Sequence, residues 1–224
     1  MPGDAASGPV APAEPPRDCP LCPRLVAYRA GNARAEPSWF NGAVPSFGDP
    51  EARLLVVGLA PGRTGANRTG RPFTGDHAGR LLYDTLLALG LAEGRFEARA
   101  DDTLRLRATM VTNAVRCAPP ENKPTASETR ACRAFLAARV EALPRLRAIL
   151  TLGRIAHDTT VRALGARVAE HPFAHNAASR VGALALHASY HCSRYNTQTR
   201  LLTPEMFAEA VAAAAASGGI GPRA

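Results

Sequence analysis

The sequence has no long apolar run and lacks two common motifs, and each absence excludes a class of protein. No stretch approaches the roughly 18 apolar residues that a membrane-spanning helix needs. The first residues, MPGDAASGPVAPAEPPR, contain no apolar segment typical of a signal peptide. A glycine-rich loop, GLAPGRTGANRTGRPFTGD at 58–76, follows the apolar run RLLVV, but the G-K-[ST] of a P-loop is absent. We therefore expect a soluble, cytoplasmic protein whose glycine-rich loop binds no nucleoside triphosphate.

The charge of the chain indicates the kind of partner. Its 224 residues include 27 Lys and Arg against 19 Asp and Glu, a formal net charge of +8. An excess of this size favours an anionic partner such as a nucleic acid. In a reducing compartment the five cysteines are not expected to form disulfides, which leaves metal ligands, nucleophiles or buried thiols.

Short apolar runs alternate with helical patterns along the chain. Strands are predicted at 53–60, 109–115, 147–153 and 181–189. Helices are predicted at 79–90, 125–143, 154–164 and from Pro204 onward, with Thr125 and Glu128 forming a capping box. This alternation predicts a three-layer α/β/α fold with a central, mostly parallel four-stranded sheet. We expect one domain over residues 18–216, with disordered tails at 1–17 and 217–224, which have little apolar content.

Three loops should meet at the carboxyl edge of the sheet, where ligands of open α/β sheets bind. They are the glycine-rich loop, TNAVRCAPPENKPT after the second strand and HASYHCSRYNTQT at the last. The loops are rich in arginine, at Arg63, Arg68, Arg71, Arg116, Arg194 and Arg200. With Phe73 and Tyr195 among them, they suit phosphates and stacked bases. The alternative is an ordinary solvated arginine surface.

The spacing of the cysteines leaves three interpretations open. Cys19 and Cys22 form a C-x-x-C before the first strand, whereas Cys117 and Cys132 stand fifteen apart. Four thiolates can hold a cubane iron–sulfur cluster, which tolerates irregular spacing, or zinc, which usually takes two C-x-x-C pairs. The third interpretation is no metal at all. Cys192, beside His191, is expected to be a bystander rather than a nucleophile.

The three loops, in this order and with CPLC upstream, resemble the type-5 (type-B) uracil-DNA glycosylases, iron–sulfur members of the uracil-DNA glycosylase superfamily. The resemblance covers about residues 19–215. It departs from the usual pattern at Gly62, where alanine is common, and at Cys192, where proline is common. The resemblance implies a [4Fe-4S] cluster on Cys19, Cys22, Cys117 and Cys132.

The same resemblance implies a monofunctional glycosylase of DNA base excision repair. It would flip uracil out of DNA, hydrolyse its N-glycosidic bond and leave an abasic site. Leu59 and Ala60 stand where related families carry an acid. In lacking this acid the chain resembles broad-range members that also accept hypoxanthine. The expected partners are double-stranded and single-stranded DNA with deaminated bases, and the expected state is a monomer without membrane contact. The alternative is a non-catalytic iron–sulfur DNA-binding protein.

The resemblance also assigns roles to single residues. Phe73 would stack on the base, Asn113 would bind its Watson–Crick edge, and His191 would donate to uracil O2. The remaining substrate-binding residues would be Gly58, Ala60, Gly62 and Asn67, and the DNA-binding residues would be Arg68, Arg194, Tyr195 and Asn196.

Asp76 has two competing interpretations. It precedes a predicted helix, so it suits an N-cap. It is also the nearest carboxylate left in the first motif, which makes it the expected activator of water or stabiliser of the sugar cation.

Overall fold

The computed structural model describes residues 13–221. Within them the α-helices are α1 (Pro23–Ala35), α2 (Ala66–Thr69), α3 (His77–Ala88), α4 (Ala126–Glu141), α5 (Arg154–Ala163), α6 (Arg194–Gln198) and α7 (Pro204–Ser217). The strands are β1 (Phe47–Gly48), β2 (Leu54–Gly58), β3 (Ala92–Glu93), β4 (Arg105–Leu106), β5 (Thr109–Asn113), β6 (Ala148–Leu152), β7 (Ala178–Val181) and β8 (Leu184–Ser189).

The central sheet has six strands in the order β1-β5-β2-β6-β8-β7. The four inner strands are parallel, with Leu54 beside both Thr109 and Ala148, and Ala148 beside Ala185. The prediction of a mostly parallel sheet is therefore confirmed, but its strand number was too low. Antiparallel β1 and β7 add the two edges. Neither edge strand has the continuous apolar run that marks a strand buried on both faces.

Helices cover both faces of the sheet, as the three-layer prediction requires. Leu54 and Val56 pack on one face with Leu82 of α3 and Phe207 of α7. The alternate residues, such as Leu55, pack on the other face in a core that also contains side chains of α4 and α5. This alternation follows from the two-residue period of a strand.

The ends of the helices agree with the sequence signals. Thr125 and Glu128 form the predicted capping box at α4. Thr203 caps α7 by accepting from the N–H of Met206 at 3.2 Å, and Pro204 occupies the first turn. Such caps pair backbone donors that a helix start otherwise leaves without partners.

Most of the two predicted tails lies outside the described residues, but some residues near their boundaries make contacts. Residues 1–12 and 222–224 lie outside the described residues, but Glu14 binds both Arg116 and Arg139 through ion pairs. At the other end α7 extends to Ser217, and Ile220 is buried in the core. Contacts with the folded domain therefore extend a few residues beyond the predicted boundaries at 17 and 217, and the division into one domain and two tails stays a prediction. No helix within residues 13–221 is long and apolar enough to cross a membrane.

Candidate functional site

The parallel strands bring their carboxyl ends to one edge of the sheet. Gly58 ends β2 in register with Asn113, which ends β5. A Cβ added to Gly58 would collide with the Phe73 ring and with Asn113 Oδ1. Glycine is thus required here because both side chains approach the same point of the backbone. The structure therefore brings Gly58, Phe73 and Asn113 together, as predicted.

The amide of Asn113 has no partner in the described residues and keeps some contact with solvent. The residue is 3% exposed, and its side chain makes no hydrogen bond within residues 13–221. A buried polar group without a partner costs free energy unless a ligand or water binds it. The amide is therefore available to a ligand with both a donor and an acceptor.

Phe73 and His191 form the next pair. Their rings are nearly parallel, with an angle of 24° and centroids 6.2 Å apart. Phe73 is mostly buried and has a φ of +54°, a left-handed conformation that bulky residues rarely adopt. Burial lowers the pKa of His191, although the negative charge of Asp76 opposes the shift. The imidazole is consequently neutral at neutral pH.

The carboxylate of Asp76 contacts both a helix start and the glycine-rich loop. Its Oδ1 accepts from the N–H of Gly79 at 2.9 Å and so caps α3. Its Oδ2 faces the glycine-rich loop, 3.4 Å from a Cβ placed on Gly62 and 3.1 Å from one placed on Gly65. One oxygen serves the helix while the other borders the loop.

A cleft of about 670 Å³ opens at this edge of the sheet. Among the predicted site residues, its lining includes Ala60, Gly62, Asp76, His191 and Arg194. The structure therefore brings residues from the first and third loops into one concave site, a shape typical of ligand binding.

Gly58, Phe73 and Asn113 do not line this cleft, although the Phe73 ring is stacked on His191, which does. Two further predicted residues are bonded to other parts of the protein. Asn67 is 1% exposed, does not line the cleft, and donates through Nδ2 to Asn41 Oδ1 at 3.0 Å. Asn196 donates through Nδ2 to the carbonyl oxygen of His191 at 2.8 Å. Both contacts hold loops in place, and the second fixes the backbone of His191.

The cleft also contains residues that the sequence analysis did not single out. Tyr28 of α1 and Asn122 of the second loop are part of its lining. Asn122 Oδ1 lies 3.9 Å from a Cβ placed on Gly62, so Asn122 and Asp76 both approach this glycine. Asn122 has a φ of +57°. The quoted second loop contains Asn122, whereas no sequence signal connected Tyr28 with the site.

Five of the six loop arginines are either exposed or buried, whereas Arg63 is half-buried, lines the cleft and donates through Nε to Asn32 Oδ1 at 2.8 Å. Arg68, Arg194 and Arg200 are exposed, and Tyr195 beside them is 73% exposed. Arg71 and Arg116 are buried and form ion pairs with Asp102 and Glu14. The expectation that these two arginines bind phosphate is therefore wrong, because their charges already have partners inside the protein.

Four cysteines from separate segments converge on another side of the domain. Cys19, Cys22, Cys117 and Cys132 line one small apolar cavity, and none forms a disulfide. Burial raises the pKa of Cys117 to about 11 and of Cys132 to about 12. Cys192 lies apart, fully buried, with its thiol directed at the carbonyl oxygen of Ala78.

Positive and donor groups surround this cysteine cluster. The N–H of Arg116 donates to Cys132 Sγ at 3.3 Å, and Arg29 Nη1 lies 3.5 Å from Cys117 Sγ. In the described part of the chain, no three Cys, His, Asp or Glu residues are placed to hold a single metal ion. A cubane binds each thiolate through a different iron, so it accepts ligands that are farther apart than those of one ion.

Comparison with known proteins identifies the family. The model of the uracil DNA glycosylase superfamily matches residues 45–215. The chain belongs to this superfamily. A type-5 uracil-DNA glycosylase of Thermus thermophilus is 51% identical over 198 residues, which cover 85% of this chain and 90% of the relative.

Two further relatives are also uracil-DNA glycosylases. A type-5 uracil-DNA glycosylase of Pyrobaculum aerophilum is 41% identical over 206 residues, covering 90% of each chain. A type-4 uracil-DNA glycosylase of the same organism is 32% identical over 152 residues, or 67% of this chain and 63% of the relative. The predicted resemblance to type-5 enzymes is thus confirmed.

Proposed function

We propose that this protein is a monofunctional uracil-DNA glycosylase that hydrolyses the bond between uracil N1 and the C1′ of deoxyribose. The observation that carries the proposal is the junction at Gly58, where the free Asn113 amide meets Phe73, with His191 and Asp76 close by. Its place at the carboxyl edge of a parallel sheet is where such folds bind ligands. The type-5 relatives support the choice of uracil in DNA as substrate.

The base would be recognised by stacking and by its Watson–Crick edge. An extruded uracil stacks on Phe73, while Asn113 Oδ1 accepts from N3–H and Nδ2 donates to O4. Cytosine presents the opposite pattern at these two atoms, with an acceptor at N3 and a donor at the exocyclic amine. The unpartnered amide supports this role, because a mismatched base that covers it would leave it unsatisfied in the complex.

The chemical step needs charge stabilisation at two places. As the C1′–N1 bond breaks, its electron pair goes to the base and the sugar becomes cationic. Neutral His191 donates a hydrogen bond to uracil O2 and stabilises the developing anion. Asp76 Oδ2 stabilises the sugar cation or orients the water whose hydroxyl adds to C1′. Asn122, which also approaches Gly62, is a further candidate for holding that water.

DNA would bind across the exposed arginines. Arg68 and Arg194 contact phosphates, which fixes the position of the duplex without reading its sequence. Tyr195, 73% exposed, fills the gap left by the extruded base. Asn196 supports His191 rather than the duplex in this proposal, because its amide already donates to the His191 backbone.

We infer that Cys19, Cys22, Cys117 and Cys132 hold a [4Fe-4S] cluster. When bound, such a cluster cross-links the segments that supply its thiolates. Their convergence on one cavity and the donors from Arg116 and Arg29 support it. The cluster's place beside α1, which supplies Tyr28 to the cleft, gives it a structural role.

The test is excision from duplexes that carry uracil, hypoxanthine or ethenocytosine, followed by alkaline cleavage of abasic products. We expect cleavage at uracil and, more slowly, at hypoxanthine, with the protein acting as a cytosolic monomer on double-stranded and single-stranded DNA. The variants His191→Ala and Asn113→Ala should excise slowly but still bind DNA. Binding without any cleavage by the parent protein would instead favour a non-catalytic iron–sulfur DNA-binding protein.

A further inference from the structure

The turn that carries Phe73 has an unfavourable backbone. Its φ of +54° belongs to a region that is unfavourable for bulky residues, so surrounding contacts must hold it. The turn is the segment 71–74, Arg-Pro-Phe-Thr, between the glycine-rich stretch and α3.

A buried ion pair lies directly behind this turn. Arg71 donates through Nη1 and Nη2 to the two carboxylate oxygens of Asp102, each at 2.7 Å. The two side chains are only 4% and 0% exposed. Asp102 also accepts from the N–H of Glu97 at 2.9 Å and of Leu104 at 3.1 Å, so the segment between β3 and β4 holds it firmly.

The ion pair is connected to the turn on both sides of Phe73. Arg71 Nε donates to Thr74 Oγ1 at 3.0 Å, which closes the turn. The hydroxyl of Tyr83 donates to the carbonyl oxygen of Pro72 at 2.6 Å. The Arg71 guanidinium also lies 5.6 Å from the centre of the Tyr83 ring. The ion pair and the Tyr83 hydroxyl are therefore in contact with each other's residues, and both bind the turn.

Buried ion pairs are a poor source of stability, because desolvation of two charges offsets their attraction. Their better documented use is to specify one arrangement of the chain. Here the arrangement that they specify is the left-handed turn at Phe73.

We propose that Arg71 and Asp102 are positioning residues for excision, which act by holding the Phe73 ring where the base must stack. The proposal rests on the proposed function of Phe73. It assigns the segment between β3 and β4, which does not line the cleft, a part in the reaction.

The experiment is a double-mutant cycle between Asp102→Asn and Phe73→Leu, measured as single-turnover uracil excision at saturating enzyme and a temperature where every variant is folded. Asp102→Asn should slow the parent protein roughly 10- to 100-fold, because small misplacements of positioning groups have effects of this size. In the Phe73→Leu background it should change the rate by less than about threefold, since coupled residues are not additive. Affinity for DNA should be unchanged in both.

Asp49→Asn is the matched control. Asp49 also accepts from two backbone N–H groups, those of Glu51 at 2.8 Å and Ala108 at 2.9 Å, but it lies at the opposite edge of the sheet. It should lower stability without slowing excision.

Three outcomes separate the proposals. If Phe73→Leu excises uracil at the parent rate, the proposed stacking role of Phe73 is wrong. If Phe73→Leu is slow and Asp102→Asn slows it by a further equal factor, the stacking role stands and our inference is overturned. If Asp102→Asn does not fold, Tyr83→Phe replaces it in the cycle. Tyr83→Phe should then slow excision by the parent protein but change the rate of the Phe73→Leu variant by less than about threefold.

Discussion

Replacement of Asp76 by asparagine separates the two functions of its carboxylate. An amide oxygen can still accept from the N–H of Gly79, so the cap of α3 survives. What is lost is the negative charge, including its favourable interaction with the helix start, which is worth about 0.3–1 kcal/mol. We therefore expect Asp76→Asn to unfold within about 1 kcal/mol of the parent protein.

The effect on the reaction should be much larger. Oδ2 faces the loop at Gly62 and Gly65, at one side of the cleft. Loss of one preorganised charge from a transition state costs about 10²- to 10³-fold in rate, or about 2.7–4.1 kcal/mol. We expect a reduction of this size in single-turnover excision of uracil from an end-labelled duplex, with DNA affinity little changed.

The control for a pure capping effect is Thr203→Ala. Thr203 caps α7 through its hydroxyl, so its loss should cost about 0.5–2 kcal/mol of stability. Excision by folded Thr203→Ala should match the parent. If Asp76→Asn also excises within about threefold of the parent rate, Asp76 is only a cap and the catalytic reasoning is refuted.

Four further predictions test other parts of the molecule. The purified parent should contain iron and absorb near about 400 nm, and Cys19→Ser should lose both; zinc without iron would contradict the cluster. Arg194→Ala should reduce the slope of log affinity against log salt by about 0.9, whereas Arg180→Ala, on the edge strand, should leave it unchanged. Burial raises the pKa of the Asp102 carboxyl, but its ion pair and backbone donors outweigh this and lower the pKa to about 2. About 2 kcal/mol of stability, present above about pH 4, should therefore disappear towards pH 2 in urea unfolding of the parent, and this pH dependence should be absent from Asp102→Asn. Gly62→Ala should fold and excise uracil at close to the parent rate, because the added Cβ would lie an ordinary 3.4 Å from Asp76 Oδ2. A rate loss above about tenfold would show that the reaction needs the space beside Gly62 to be empty.

The sequence predicted the parts of the fold that depend on local pattern. Three of the four inner strands are fully buried, and β8 is buried in all but its first residue. Short, largely apolar runs between helical patterns are typical of such strands. β1 has only two residues, and β7 alternates in burial at an exposed edge, so neither has a comparable signal. α1 was missed in the same way, because only Leu25 and Asn32 of its residues are buried.

The sequence predicted site residues whose position in a motif indicates their role. It did not distinguish residues whose role depends on which other side chain they contact in the folded protein. The site residues at the carboxyl ends of the strands could be predicted from their motifs and from the order of these motifs along the chain. Arg71 and Arg194 are the same residue type in the same kind of loop, yet one is buried against Asp102 and the other is exposed. Asp102 lies thirty-one residues from Arg71, in a segment with no motif, so only the fold could distinguish these arginines. Asn122 depends likewise on a left-handed turn that its neighbours impose.

The cap at Asp76 is itself a means of positioning the proposed reactive oxygen. A carboxylate on an exposed loop would sample several rotamers, and fixing it during the reaction would cost entropy. The hydrogen bond from Gly79 to Oδ1 fixes that rotamer in the folded protein and leaves Oδ2 directed at the loop. The same bond places the charge at the start of α3, where the helix dipole favours the ionised form. The proposed catalytic role and the cap therefore favour the same residue type at position 76. For this reason the sequence pattern alone does not separate the two interpretations, and the substitution that separates them must keep the oxygen and remove the charge.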